Sequence, residues 1–192
     1  MLSKNLQAFI SKKKPNVELL KEEIDFAKKV QIIDDMVIEK NDSSLFSGAY
    51  VERSHKETEE LIAEEAENFL DQPVSYLKNH ISEFLYIESE RFSVVGADSI
   101  CLEIDDVFGT YEAMLGLKLQ KKHEKSIKDY LKSTLNEEGK FSLLFSQTDG
   151  LWDFNFALNG VKGFTEEMTI GEACKLIYLY LFKLVETVEE NK

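Results

Sequence analysis

The chain has 192 residues, 43% of them hydrophobic and 31% charged, with two prolines and two cysteines. That balance excludes wholesale disorder, and a domain of this length, burying roughly 70% of the surface its unfolded chain exposes, needs no disulfide or metal staple. Formal net charge is −13, spread evenly, with 12 basic and 19 acidic groups in residues 1–96 and 11 and 17 in residues 97–192; this disfavours a phosphate-backbone binder and suits a cytoplasmic protein or one that meets a basic partner.

Residues 2–10 read as a short amphipathic helix. A second helix is predicted over 16–32, with Asn16 as N-cap after Pro15 and Val17, Leu20, Ile24, Ala27 and Val30 on one stripe. Residues 40–50 read as a loop entering a short extended piece. Ser54 and Glu57 have capping-box spacing and predict a helix start, continued by Thr58, Leu61, Ile62, Ala66 and Phe69 inward. Asp71-Gln72-Pro73 stops that helix and opens another, with Val74, Leu77, Ile81 and Phe84 inward. Its end is open, because Phe84-Leu85-Tyr86-Ile87 also reads as strand. Phe92 to Ile104 is β-rich, with a turn at Gly96-Ala97-Asp98. Residues 107–117 stay ambiguous between helix and irregular structure.

Helical spacing returns over 119–135, through Leu119, His123, Ile127, Tyr130, Leu131 and Leu135. The firmest β signal follows. Phe141, Leu143 and Phe145 alternate with small polar residues. Trp152, Phe154, Phe156 and Leu158 alternate with Asp153 and Asn155, and Thr148-Asp149-Gly150 joins the two runs. This is a hairpin over 141–158, with Gly150 able to take the left-handed backbone. The lone tryptophan reads as core, with a recognition surface as the alternative. Thr169 and Glu172 form a second capping box. The helix they open, over 169–190, is apolar nearly all round and is expected to lie centrally, across the hairpin face.

Cys101 and Cys174 read as buried free thiols. The first residues run into a polar, lysine-bearing segment rather than a secretory leader, and the longest apolar run, Leu176 to Phe182, is seven residues where a bilayer needs about 20. No membrane contact is therefore expected.

Chemistry-bearing clusters are sparse. His55 and Glu59, four apart in the predicted helix, could hold a cation; the competing reading is a solvated helix start. Glu103 and Asp105 would share a strand face and, with Asp106, could bind magnesium; the competing reading is that Asp105 or Asp106 caps whatever begins at Val107. Glycine-rich phosphate loops and nucleophile elbows are absent.

Five segments, Ala49-Tyr50-Val51-Glu52-Arg53, Lys56-Glu57-Thr58-Glu59-Glu60, Asp105-Asp106-Val107-Phe108-Gly109-Thr110-Tyr111, Asp149-Gly150-Leu151-Trp152-Asp153 and Thr169-Ile170-Gly171-Glu172-Ala173, carry a resemblance over most of the chain. It resembles a group of short, acidic, uncharacterised proteins of spore-forming Gram-positive bacteria. Members sometimes bear the label branched-chain amino acid aminotransferase, which implies pyridoxal phosphate held on a lysine. None of these segments is a mechanistic motif and no catalytic residue carries over. Lys118, Lys121, Lys140 and Lys162 stand in no phosphate-cup context.

The sequence therefore predicts an α+β fold, with a helix-rich N-terminal part and antiparallel strands packed by the helices at 119–135 and 169–190. A single domain over 1–192 is favoured, with a subdivision into a helical 1–90 and an α+β 91–192 as the alternative. The expected function is a non-catalytic cytosolic interaction or regulatory protein, without cofactor, using an acidic surface for a basic partner. The alternatives are a pyridoxal-phosphate- or metal-dependent enzyme, and a small-molecule binding module with its pocket beneath the C-terminal helix.

Overall fold

The computed structural model describes residues 1–14, 17–33, 38–39 and 43–190. In chain order the elements are α1 (Leu2–Lys13), β1 (Glu18–Leu19), α2 (Lys21–Lys29), β2 (Ile38–Glu39), β3 (Tyr50–His55), β4 (Leu61–Glu64), α3 (Tyr76–Asn79), β5 (Glu83–Glu88), α4 (Phe92–Val95), β6 (Ser99–Ile104), β7 (Tyr111–Leu117), α5 (Glu124–Thr134), β8 (Phe141–Ser146), β9 (Leu151–Ala157) and α6 (Ile170–Glu190), with 3₁₀ turns between some of them. Strands β3 to β9 form one seven-stranded antiparallel sheet in the order β4-β3-β5-β6-β7-β9-β8. The short β1 and β2 pair in parallel apart from it. The fold is α+β.

Period-two alternation sends one side chain of each pair to each face of this sheet. One inner row runs Val51, Ile87, Ile100 and the next runs Leu85, Leu102, Ala113, Phe156, Phe141, and helices cover them. Over it lies α6, 21 residues long, with Ile177, Tyr178, Leu181, Phe182, Leu184 and Val185 all buried. Rings interlock at this layer: Phe156 meets Tyr180 at 5.3 Å between centroids and Phe26 meets Phe182 edge-on at 5.6 Å. Such contacts add about 0.5–1.5 kcal/mol each beyond area burial.

One buried polar cluster ties the N-terminal helices to this layer. Both carboxylate oxygens of Glu23 accept from Arg91 Nη1 at 2.7 Å, one of them also accepts from the Tyr178 hydroxyl, and the other from Leu20 N–H at 2.7 Å. Arg91 Nη2 donates to Glu18 O at 2.9 Å, and its guanidinium lies 4.9 Å from the centre of the Phe9 ring. Glu23 is fully buried and Arg91 nearly so. Burial first, then the Glu23 charge, pushes the Tyr178 hydroxyl well above its ordinary value, so it stays a donor.

The expected elements at both ends are present. The hairpin is β8 and β9, in register Phe141–Phe156 through Phe145–Trp152, with Gly150 at φ +70° in the turn. Trp152, Phe154 and Phe156 are buried, so the tryptophan is core. Thr169 and Glu172 cap α6 reciprocally, at 3.1 Å (Glu172 N–H to Thr169 Oγ1) and 2.8 Å (Thr169 N–H to Glu172 Oε2).

The middle of the chain differs from the expectation. Ser54 does not cap a helix; it is a buried residue of β3, and Tyr50–His55 and Leu61–Glu64 are the arms of a hairpin. The glutamate-rich segment has good helix propensity, but β3 is paired on both sides, by β4 and β5, and tertiary pairing overrides it. The helix predicted from 73 shrinks to the single turn α3; Val74 and Leu77 are buried, Ile81 is exposed and Phe84 already belongs to β5. Phe92–Val95, expected as strand, is the one-turn α4, and Tyr111–Leu117 resolves as strand β7. The second helix begins at Lys21 rather than residue 16, because Glu23 reaches back to Leu20 N–H and Glu18–Leu19 is held in β1; Asn16 lies outside the described residues. The alternative division at 90/91 would cut between β5 and β6, which are directly paired, and β3, β4 and β5 all precede it.

Candidate interaction face

Among the described residues, no helix covers the opposite face of the sheet. Its central row crosses all seven strands in unbroken register: Glu64, Glu52, Tyr86, Cys101, Met114, Asn155, Ser142. Glu103 opposes Glu112 in the row on one side. On the other side Glu88 opposes Tyr50 and Ser99, and Asp153 lies between Gly116 and Leu144. The outward strand positions thus hold six carboxylates (Glu52, Glu64, Glu88, Glu103, Glu112 and Asp153) and no lysine or arginine. Half-buried Tyr86, Cys101 and Met114 form a softer apolar centre between them.

Two of the acidic pairs, Glu52/Glu64 and Glu103/Glu112, sit directly across from each other on neighbouring strands. Like charges so placed destabilise a sheet. The carboxyls of Glu103 and Glu112 are both held above the ordinary range; burial is the larger cause, and neighbouring carboxylates add to it against Lys56 and Lys140. The thiol of Cys101 is pushed up to about 11 by burial, then by Glu103 and Glu52. Hydroxyls satisfy part of the face. Tyr50 donates to Glu52 at 2.7 Å, Tyr86 to Glu88 at 3.3 Å and Thr110 to Glu112 at 2.9 Å. The Glu52 bond pushes the Tyr50 phenol up to about 12.

Two cations, Lys56 and Lys140, stand at the rim, by the β6–β7 loop. Lys56 Nζ donates to Ile104 O, lies 3.0 Å from Asp106 and 3.8 Å from Glu103. Lys140 lies over the ring of exposed Phe108.

The metal candidates separate in three dimensions. Glu103 faces outward on β6, whereas the Asp105 carboxylate turns into the loop and accepts from Val107 N–H at 2.9 Å and Phe108 N–H at 2.6 Å, the capping geometry weighed against a metal. Asp106 turns to Lys56. His55 and Glu59 do not share a helix face. They bracket the β3–β4 turn, where Glu59 takes a left-handed backbone (φ +57°) and His55 Nδ1 accepts from Glu57 N–H at 3.3 Å. Among the described residues no group of three or more His, Cys, Asp or Glu is arranged to hold a metal ion. Lys118, Lys121, Lys140 and Lys162 are all exposed; Lys118 pairs with Asp98, and Lys121 lies over Phe145. No described helix is long and apolar enough to cross a membrane.

No protein-family model, curated protein or solved structure matches the chain. The sequence reading missed the outward face because its acids come from six separate strands, and three of those strands were not recognised as such; the alternation of Glu103 with Ile104 and of Glu112 with Ala113 was the available signal.

Proposed function

We propose that the chain is a non-catalytic interaction protein whose helix-free sheet face receives a basic segment of a protein partner. The observation that carries this is the outward row of carboxylates with no cation among them, kept although Glu103 opposes Glu112 and Glu52 opposes Glu64. That arrangement weakens the isolated sheet, and it becomes favourable once lysines or arginines are laid against it. The apolar centre at Tyr86, Cys101 and Met114 gives such a segment something to bury, and the same charge repels a second copy of the face.

The test uses a lysine-rich peptide with interspersed apolar residues and fluorescence anisotropy at low and moderate salt. Binding should weaken steeply as salt shortens the screening length to about 10 Å at 0.1 M. It should be lost in Glu52→Gln/Glu103→Gln/Glu112→Gln and kept in Glu137→Gln/Glu138→Gln/Glu167→Gln, which removes the same charge from exposed positions elsewhere. Equal weakening in both triples would mean that net charge, not this face, attracts the peptide.

A further inference from the structure

A second site lies beside α6. Between α5, α6 and the turn after β9 there is a cleft of about 360 Å³. This falls at the lower end of small-ligand sites, about 300–1,000 Å³. Its α6 wall is formed by Leu176, Leu179, Tyr180 and Lys183, spaced i, i+3, i+4 and i+7, so they share one face of the helix. Leu176 and Leu179 remain half-exposed there, although α6 already buries a full stripe against the sheet.

The polar groups at the cleft are of one kind. Lys162 and Lys183 both line it and no carboxylate does, in a chain of net charge −13. Lys162 is exposed and has no ion-pair partner among the described residues; Lys183 reaches Glu186 at 2.8 Å from outside the lining. Thr134 gives its hydroxyl hydrogen to Tyr130 O at 2.8 Å, so the Tyr180 hydroxyl must donate to Thr134 Oγ1, 2.9 Å away. Burial, then the Glu186 charge, pushes the Tyr130 phenol up to about 12, so it stays protonated at neutral pH. The cleft therefore offers the two ammonium groups and the Tyr130 hydroxyl as donors above an apolar floor.

We propose that this cleft binds a small organic anion with an apolar body, a medium-chain carboxylate in the simplest form. The chain would lie on Val161, Leu176 and Leu179, and the carboxylate would meet Lys162, with Lys183 exchanging Glu186 for it. Charge-assisted bonds of this kind orient a ligand whose apolar part supplies most of the affinity. This site is independent of the acidic sheet face, so failure of either proposal leaves the other standing.

The test is calorimetric titration with decanoate below its micelle concentration, beside decanol and decyltrimethylammonium. Decanoate should bind with one-to-one stoichiometry, and the cation should not bind. Loss of one charge-assisted contact in Lys162→Gln should weaken decanoate about tenfold and leave decanol unchanged. Filling the cleft with Leu179→Trp should abolish binding while the protein still melts cooperatively; if that variant does not fold, Leu176→Phe is the substitute. Equal affinity for decanoate and decyltrimethylammonium, no decanoate binding at all, or undiminished binding in the filled variant would each overturn the assignment.

Discussion

The Glu23–Arg91–Tyr178 cluster gives the sharpest stability prediction. Glu23 has no exposed surface, and its carboxylate accepts from Arg91, Tyr178 and Leu20 N–H. Replacing Arg91 with Met keeps much of the volume and removes the countercharge that Glu23 has among the described residues, leaving a buried carboxylate with two neutral donors. Breaking one side of a buried pair costs about 3–5 kcal/mol. Glu23→Gln should cost a similar amount, because it leaves the buried guanidinium against Phe9 without a countercharge, with neutral oxygens alone, Glu18 O among them, to accept from it. Were the two sites independent, the double variant would lose roughly 6–10 kcal/mol, enough to unfold a typical domain. The geometry predicts otherwise. With both charges gone, Gln at position 23 can accept from Leu20 N–H through its amide oxygen and donate its amide N–H to the Tyr178 hydroxyl, while Glu18 O loses the Arg91 donor. The double variant should then lose about 2–4 kcal/mol, less than the sum and no more than either single change. Urea melts of the four proteins, read by the far-ultraviolet signal, close the cycle. Additive losses, or a silent Arg91→Met, would show that the two groups are not coupled and that the N-terminal helices are held by apolar packing alone.

The same structure predicts other outcomes. Phe154→Ala and Phe156→Ala, both fully buried, should each cost about 3–5 kcal/mol in urea melts, while Asp153→Ala on the outward face should be nearly silent. Thr169→Ala removes one half of a reciprocal cap and should cost about 1 kcal/mol; an unchanged melt would mean the cap is dispensable. Glu103 and Glu112 hold their protons more tightly folded than unfolded, so their contribution to stability is full below the ordinary carboxyl range and falls as pH rises through it. Accordingly Glu103→Gln/Glu112→Gln should melt above the parent at pH 7 and lose that advantage near pH 4; an advantage that persists at low pH would rule out the charge explanation. The Cys101 thiol, raised to about 11, should alkylate slowly at pH 7.5 in the native state and rapidly in urea.

The parts of the fold legible in the sequence are those where local pattern and tertiary environment agree. β8 and β9 alternate cleanly because one face is core and the other is solvent, and α6 has a capping box followed by a long helical period. Illegible parts were those where the two disagree. Residues 54–69 carry the composition of a helix, yet β3 lies between two partners and gains more from pairing than it loses in propensity. β5, β6 and β7 alternate as well, but their outward residues Tyr86, Cys101 and Met114 are apolar enough to blur the contrast. The acidic face could not be read at all without the register, since Glu52 and Glu64, or Glu103 and Glu112, meet only across strands. The cleft beside α6 left a trace in the extra apolar positions Leu176 and Leu179, which by themselves read as a helix buried on all sides.

The position of α6 also bears on how the chain matures during synthesis. Strands β3 to β9 can zip together largely in order of emergence, each beside a neighbour close in sequence, which favours early pairing. Their shared cover comes last: a nascent chain halted before Thr169 would have a paired sheet with Trp152, Phe154 and Phe156 facing water. Tyr178 must likewise find Glu23 across a sequence separation of 155. A ribosome-bound intermediate should therefore be sticky on one face and depend on a holding chaperone until α6 emerges, whereupon the sheet face is covered in one step.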